Sequence, residues 1–255
     1  MMNQFRGLLM KDWTIIKGYV LLALLLDVMI PIGSATLFQV DFYEGLLVFS
    51  GTVIALHMLL PIVLLSILFT KEMDRPDIFF HSSASMHKIN ASKFLTVILA
   101  TAGSLLWISA LTLAFLFFAP DLATVRNLIP SGLMFAAGVL FFSMQITIIY
   151  YFYMTLFYTM KPKIGGFAYI VTFGLFIFGI EMWDRFKATE LFVAVTDFWI
   201  VPLDESEFLT NIARGLMISI ETPGMLPIGQ FAVVTGLLIF LYLVSAYWFE
   251  KKVRA

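Results

Sequence analysis

The chain has 255 residues, of which 61% are hydrophobic and 13% are charged, and its formal net charge is −1. Soluble domains carry about 25% charged residues, so this composition excludes an ordinary soluble protein. The charges form no basic face, which gives no support for nucleic-acid binding. The chain has no cysteine, which excludes disulfides and thiolate metal sites.

Long apolar stretches dominate the chain and predict an all-α integral membrane protein with a single transmembrane domain over residues 1–255. Each stretch reaches or approaches the ~20 residues that an α-helix needs to cross ~30 Å of hydrocarbon. The six predicted spans are 13–38, 42–70, 94–119, 132–160, 165–183 and 228–249.

The Lys and Arg residues predict the orientation of these spans. If the N-terminus is cytoplasmic, 12 of the 16 basic residues lie on the inner side. The outer side then holds Arg126, Arg185, Lys187 and Arg214. The positive-inside rule therefore predicts a multi-pass plasma-membrane protein with both termini in the cytoplasm.

The first residues of the chain have an amphipathic pattern. Residues 3–16 place apolar side chains on one helical face and Arg6, Lys11 and Asp12 elsewhere. This pattern is typical of an interfacial helix that lies along the inner leaflet before the first span. The alternative is that the same residues begin one long, tilted first span.

A few polar residues fall inside the predicted spans, chiefly Asp27, His57 and Gln145. An Asp in hydrocarbon costs roughly 2.5–3.5 kcal/mol on insertion scales, so such residues usually face the bundle interior and find partners. Asp27 lies about 21 Å from the inner end of its span at ~1.5 Å per residue, and His57 lies at a similar depth in the next span. The two side chains are therefore expected to meet. They are candidates either for a polar point on a transport pathway or for a pair that joins two helices.

The segment 71–93, between spans two and three, is the main cytoplasmic loop. Arg75, Pro76 and Asp77 suit the start of a short helix, because proline is tolerated in the first turn and acids favour the N-terminus. Phe79 and Phe80 follow, within a segment rich in charged and polar residues. Exposed aromatics surrounded by charge indicate a docking site for a cytoplasmic partner. The alternative is an amphipathic helix that rests on the membrane.

Two further segments carry a recognisable pattern. Aromatic residues cluster over 150–158 at the inner end of span four, which is more typical of a belt at the lipid headgroups than of a ligand site. Outside the membrane, the segment 184–227 carries apolar residues every fourth position over 208–220, which predicts an amphipathic helix.

Motifs of the common enzyme classes do not occur in the chain. The sequence contains no GxxxxGK[ST] phosphate loop and no HExxH or GxSxG motif. His57, His81 and His87 have no partners at metal-ligand spacing. The sequence therefore predicts no enzyme activity, no metal and no cofactor in this chain.

Two stretches carry a resemblance to a known family. LHMLLP (56–61) is followed by FFHSSASMHKINASK (79–93). This resembles a pattern in permease subunits of Gram-positive ABC exporters, namely those for phenol-soluble modulins and their relatives in antimicrobial-peptide export and resistance. Ser83 stands where that pattern usually has proline.

The resemblance implies the type V exporter fold. That fold has six spans, an N-terminal interfacial helix, a cytoplasmic coupling helix over about 74–85, and an outer helical excursion between spans five and six. The coupling residues that it implies are Asp74, Arg75, Asp77, Phe79, Phe80, His81 and Ser82. They would contact a separate cytoplasmic ATPase subunit, present in two copies, which holds the ATP and Mg. A second permease copy or a paralogue, membrane lipid and an amphipathic substrate, expected to be a peptide, complete the implied partners.

Two other classes of function remain open at this stage. A membrane sensor or immunity protein would bind an antimicrobial peptide through the outer segment 184–227 without transporting it. An ion-coupled transporter would depend on Asp27 and His57 and would work without ATP.

Overall fold

In a computed structural model of the chain, residues 2–38, 41–74, 84–117, 122–196, 200–202 and 225–253 are described. They form the helices α1 (Met2–Leu37), α2 (Phe42–Leu56), α3 (Leu60–Met73), α4 (Met86–Phe117), α5 (Leu122–Ile164), α6 (Phe167–Lys187), α7 (Glu190–Thr196) and α8 (Ile228–Trp248). A π-helical turn, Phe249–Val253, follows α8. The strands β1 (Ile200–Pro202) and β2 (Met225–Pro227) pair antiparallel.

Long apolar helices are the main feature of these residues. Five of them, α1, α4, α5, α6 and α8, are long and apolar enough to cross a membrane, and the number rises to six if α2 and α3 together form one bent span. These six candidates coincide with the six apolar stretches predicted from the sequence. The prediction of a helical chain with up to six candidate membrane spans is confirmed.

The second predicted span, 42–70, is not one straight helix. A turn over residues 57–59 separates α2 from α3, and the two helices are bent by 41°. In this turn Met58 N–H donates to Ala55 O and Leu59 N–H donates to Leu56 O, so the hydrogen bonds tighten from i→i−4 to i→i−3. Pro61 stands in the first turn of α3, where its ring and missing N–H prevent a regular continuation of α2. The bend places His57 at the break.

The predicted N-terminal interfacial helix is wrong as a separate element. α1 runs without interruption from Met2 to Leu37 over 36 residues, so the alternative of one long first helix is correct. The amphipathic pattern has another cause. Asp12 is 1% exposed and its carboxylate is bound by side chains of α4, so the polar residue is satisfied by protein instead of by lipid headgroups.

The described residues divide into two compact units, with the boundary between residues 144 and 145 inside α5. In the first unit, α2, α4 and the first part of α5 share an apolar core. Its fully buried members are Val53, Ile54, Leu105, Ile108 and Val139. Ile30 of α1 packs against this core. The core holds together the helices that carry the polar residues described below.

In the second unit, the aromatic cluster of α5 packs against α6 and α8. The ring contacts join Tyr151 to Tyr242, Phe152 to Trp248, Tyr153 to Phe176, Phe157 to Tyr169 and Tyr158 to Phe249. The closest pair, Phe157 and Tyr169, has ring centroids 4.4 Å apart. These rings therefore join helices to one another, a role that the prediction of a headgroup belt did not include.

Part of the segment 184–227, which was predicted to lie outside the membrane, is described, as the end of α6, α7 and the two strands. The strand pair, with Val201 opposite Leu226, brings the two ends of the segment together. The sequence did not predict this pairing. The amphipathic helix predicted over 208–220 lies outside the described residues.

The predicted orientation can be tested by cysteine labelling, because the natural chain has no cysteine. Asp121→Cys and Glu205→Cys are expected to react with a membrane-impermeant maleimide in intact cells. Lys88→Cys and Lys163→Cys are expected to react only after lysis. The unmodified chain serves as the blank. Labelling of Lys88→Cys from outside would contradict the orientation and remove the basis for a cytoplasmic docking loop.

Candidate functional site

Two buried polar clusters lie in the first unit. We name the first the triad, formed by Asp27 of α1, His57 at the α2–α3 turn and Ser104 of α4. The second, the charge cluster, is formed by Lys11, Asp12, Glu72, Ser92 and Lys93, from α1, α3 and α4. Both clusters connect α1 to α4 at different positions along these helices; the triad also includes the α2–α3 turn, and the charge cluster also includes α3.

The triad is almost completely buried. Asp27, His57 and Ser104 are 2%, 4% and 1% exposed. Ser104 Oγ lies 2.8 Å from Asp27 Oδ2 and 2.9 Å from His57 Nε2. His57 Nε2 lies 3.5 Å from Asp27 Oδ1. The hydroxyl of Ser104 therefore bridges the carboxylate and the imidazole.

The other nitrogen of His57 fixes the tautomer. His57 Nδ1 lies 2.8 Å from the carbonyl oxygen of Val53. A carbonyl oxygen can only accept, so Nδ1 carries a proton and donates it. The nitrogen that faces Ser104 and Asp27 is therefore Nε2. Because Val53 belongs to α2, this bond also holds the ring against the last turn before the bend.

The contact between Asp27 and His57 follows the depth argument made from the sequence, whereas Ser104 was missed. Ser104 lies 11 residues beyond Lys93, the inner end of its span. The same depth count, applied to hydroxyl residues of span three, leaves both Ser104 and Ser109 as candidates, one on each side of the depth of Asp27. Gln145 is half-buried and belongs to the second unit, and it is not among the hydrogen-bond partners described for the triad.

Lys93 is the centre of the charge cluster. Its side chain is 0% exposed, and its Nζ lies 2.9 Å from Glu72 Oε1 and 3.3 Å from Asp12 Oδ1. The same Nζ lies 5.2 Å from the centroid of the Phe69 ring, within the range of a cation–π interaction. Buried charges are tolerated only when they are paired and hydrogen-bonded, and Lys93 meets this condition with one carboxylate from each neighbouring helix.

The remaining members of the charge cluster, Lys11 and Ser92, also contact its two carboxylates. Lys11 pairs with Glu72 and lies 3.8 Å from Asp12 Oδ1, and its side chain is 45% exposed. Ser92 Oγ donates to Asp12 Oδ2 at 2.6 Å. Two lysines thus face two carboxylates, so the cluster is neutral when all four groups are charged. Glu72 Oε2 has no hydrogen-bond partner among the described residues.

The charge cluster lies on both sides of the loop that the sequence singled out. Glu72 is the penultimate residue of α3, and Lys93 lies in the second turn of α4. The cluster therefore ties the chain before the loop and the chain after it to each other and to α1. From the sequence, Lys11 and Lys93 were predicted only to lie on the inner side, and their pairing with Asp12 and Glu72 was not predicted.

The predicted coupling residues fall mostly outside the described part of the chain. Asp74 is described: it caps the C-terminal end of α3, its N–H donates to Thr70 O at 3.0 Å, and its side chain is exposed. Arg75, Asp77, Phe79, Phe80, His81 and Ser82 lie outside the described residues. Only the two ends of the predicted coupling helix are thus placed by the structure.

The described ranges contain no group of three or more His, Cys, Asp or Glu residues that could hold a metal ion. By the length and composition of its helices, the chain has five or six candidate membrane spans, and two buried polar clusters lie in its first unit. Comparison with protein-family models, with curated proteins and with solved structures finds no significant match to the chain.

Proposed function

We propose that this chain is the membrane-spanning permease subunit of an ATP-driven exporter of amphipathic substrates. The observation that supports the proposal best is the charge cluster at the two ends of the loop 75–83. Lys93 bridges Glu72, at the end of α3, and Asp12 of α1, over distances of 2.9 and 3.3 Å. A force applied to the loop would therefore be passed to three helices together.

Such a connection is what a docking loop needs. Loop ends held only by flexible backbone would absorb the motion of a partner as local bending. Here both ends are held by a buried, charge-assisted network, which is stronger than exposed ion pairs because water does not screen it. The pattern FFHSS at 79–83, which resembles that of exporter permeases, supplies the aromatic side chains for a groove on the partner.

The partner in this proposal is a separate cytoplasmic ATPase subunit. The permease sequence has no phosphate loop, so the ATP and Mg would be held by two copies of that subunit. One permease would provide half of a pathway, and a second copy or a paralogue would provide the other half. The two permeases would lie in the plasma membrane, and the ATPase subunits would dock on their loops from the cytoplasmic side.

The substrate in this proposal is amphipathic, with peptides such as toxins or antimicrobial peptides as the expected cargo. The chain contains 27 Phe and 14 Met residues. Aromatic and Met side chains give adaptable apolar surface with few fixed polar contacts, which suits amphiphiles of varied sequence. Export, rather than import, is inferred from the family that the loop resembles.

The proposal is tested by the double variant Phe79→Ala/Phe80→Ala. The variant is expected to insert normally but to lose most of its association with the ATPase subunit, because truncation of aromatic anchors typically costs about 2 kcal/mol or more each. The measurement is copurification from detergent extracts, together with ATPase activity stimulated by the permease.

The matched control is Phe167→Ala/Phe173→Ala, which removes two phenylalanines of α6 that are 60% and 65% exposed. This control is expected to copurify like the wild type. Equal copurification of the loop variant and the control would contradict the docking assignment. Transport that persists without ATP would instead support the ion-coupled alternative.

A further inference from the structure

When Asp27 is ionised and His57 is neutral, the triad has fewer protons than its hydrogen-bond contacts need. One imidazole proton is used on the carbonyl of Val53, because Nδ1 must donate there. Two contacts then remain: Nε2 to Ser104 Oγ at 2.9 Å, and Ser104 Oγ to Asp27 Oδ2 at 2.8 Å. Each contact needs one proton between its two atoms.

An ionised Asp27 and a neutral His57 cannot meet this need. The hydroxyl of Ser104 then supplies the only proton for both contacts. If the hydroxyl donates to Asp27, the lone pair of Nε2 faces a lone pair of Oγ. If the hydroxyl donates to Nε2, the unprotonated Oδ2 of Asp27 faces a lone pair of Oγ. Either arrangement leaves a buried polar atom unsatisfied, which is costly at 1–4% exposure.

One additional proton satisfies both contacts. If it resides on Nε2, the imidazolium donates to Oγ and Oγ donates to Oδ2. If it resides on Oδ2, the carboxylic acid donates to Oγ and Oγ donates to Nε2. The two forms interconvert by proton shifts along the hydroxyl of Ser104. Both leave the triad with no net charge, whereas the form without this proton carries a buried negative charge.

On the described parts of α1 to α4, no Lys or Arg lies within nine residues of Asp27, His57 or Ser104 along the chain, and the α5 residues that pack on the neighbouring core, Phe135, Ala136, Val139 and Leu140, are apolar. Lys17 of α1 and Lys93 of α4 are 10 and 11 residues along their helices from Asp27 and Ser104, about 15 Å at 1.5 Å per residue. Lys93 is already engaged with Asp12 and Glu72. On the described parts of α2 and α3, the nearest charged residues, Glu44 and Lys71, are 13 and 14 residues from His57.

We propose that the triad is a proton-binding site, in which Asp27, Ser104 and His57 together hold one proton more than an ionised carboxylate and a neutral imidazole. The ligand is the proton itself. The site goes beyond the proposed exporter function and does not depend on it, because it follows from the contacts within one chain. Its histidine lies in the turn between α2 and α3.

The test is a direct count of protons at the triad. The full chain, labelled with ¹⁵N-histidine and carrying His81→Gln and His87→Gln, is reconstituted in lipid nanodiscs, so that His57 is the sole labelled imidazole. Spectra are recorded at pH 8, where a free imidazole of pKa ≈ 6.5 is about 97% neutral. Ring nitrogen shifts report the protons on Nδ1 and Nε2. The infrared carbonyl band of a protonated carboxylic acid, assigned by its loss in Asp27→Asn, reports the proton on Asp27.

One extra proton per chain is the expected result, seen either as a doubly protonated ring or as a protonated Asp27. A ring protonated only at Nδ1 together with an ionised Asp27 would overturn the proposal, and so would two extra protons. In Asp27→Asn, the amide is expected to donate to Ser104 and the ring to be neutral with its proton on Nδ1. An imidazolium in that variant would show that the proton is not shared with Asp27. The wild-type count decides the question even if this variant fails to fold.

Discussion

Replacement of Lys93 by Met is expected to lower the free energy of unfolding by about 3–5 kcal/mol, the largest effect of the single substitutions considered for this chain. Lys93 is 0% exposed and is held by Glu72 and Asp12. Methionine preserves most of the apolar stem and removes the charge. The two carboxylates would then remain buried with only the half-exposed Lys11 to balance them, and an uncompensated buried charge is strongly destabilising.

The measurement is unfolding of the detergent-solubilised chain, followed by circular dichroism against temperature or against added denaturing detergent. Lys71→Met is the matched control, because Lys71 is adjacent to Glu72 in sequence but exposed. Its effect is expected to stay within about 0.5 kcal/mol, as for most surface substitutions. Equal midpoints for the two variants would show that Lys93 is not a buried, paired charge.

A double-mutant cycle identifies the partner of Lys93. Glu72→Gln removes the carboxylate charge that lies 2.9 Å from Nζ. If the two groups interact directly, the two substitutions together are expected to cost less than the sum of their separate effects, by about 0.5–3 kcal/mol. The same cycle with Asp12→Asn tests the second contact. Additive effects in both cycles would mean that Lys93 is stabilised by other groups.

The ends of the last two candidate spans were predictable from the sequence, whereas α4 and α5 begin 8 and 10 residues before the predicted spans three and four. Span six was predicted over 228–249, and α8 covers Ile228–Trp248. Span five was predicted over 165–183, and α6 covers Phe167–Lys187. Apolar length and flanking charges mark such ends directly, because the same physical quantity, transfer into hydrocarbon, determines both the sequence pattern and the helix.

The course of α1 was not predictable in the same way. The amphipathic segment 3–16 has the same composition whether its polar side chains face lipid headgroups or another helix. The distinction depends on Asp12, whose partners Ser92 and Lys93 lie 80 and 81 residues further along the chain. Likewise, a lysine at the predicted inner end of a span gives the same signal whether it is exposed, like Lys71, or paired and buried, like Lys93.

The triad shows what can be predicted by counting residues from the end of a span. Asp27 and His57 were expected to meet because they lie at similar depths on consecutive spans, and their side chains are 3.5 Å apart. The count uses only the rise per residue and works where helices are straight. It gave no information about the 41° bend between α2 and α3, although Pro61 marks a position where a regular helix is interrupted.

The second large effect on the free energy of unfolding is expected from removal of the Ser104 hydroxyl. Ser104→Ala removes the bridge between Asp27 and His57, and each of them loses a partner at 2.8 or 2.9 Å. A buried polar group left without its partner costs about 1–3 kcal/mol, and more if it is charged. The variant is therefore expected to unfold with a loss of at least about 2 kcal/mol, although only a single oxygen atom has been removed.

The same substitution at Ser50 is expected to have the opposite sign. Ser50 of α2 is 0% exposed, like Ser104 almost fully buried, but its Oγ has no hydrogen-bond partner among the described residues. Its hydroxyl is desolvated without compensation, so Ser50→Ala should leave stability unchanged or raise it slightly. The two variants are matched in chemistry and in burial and differ in hydrogen bonding. Unfolding midpoints measured side by side therefore isolate the bridge, and an equal loss in both variants would show that Ser104 stabilises the fold by packing and not by joining Asp27 to His57.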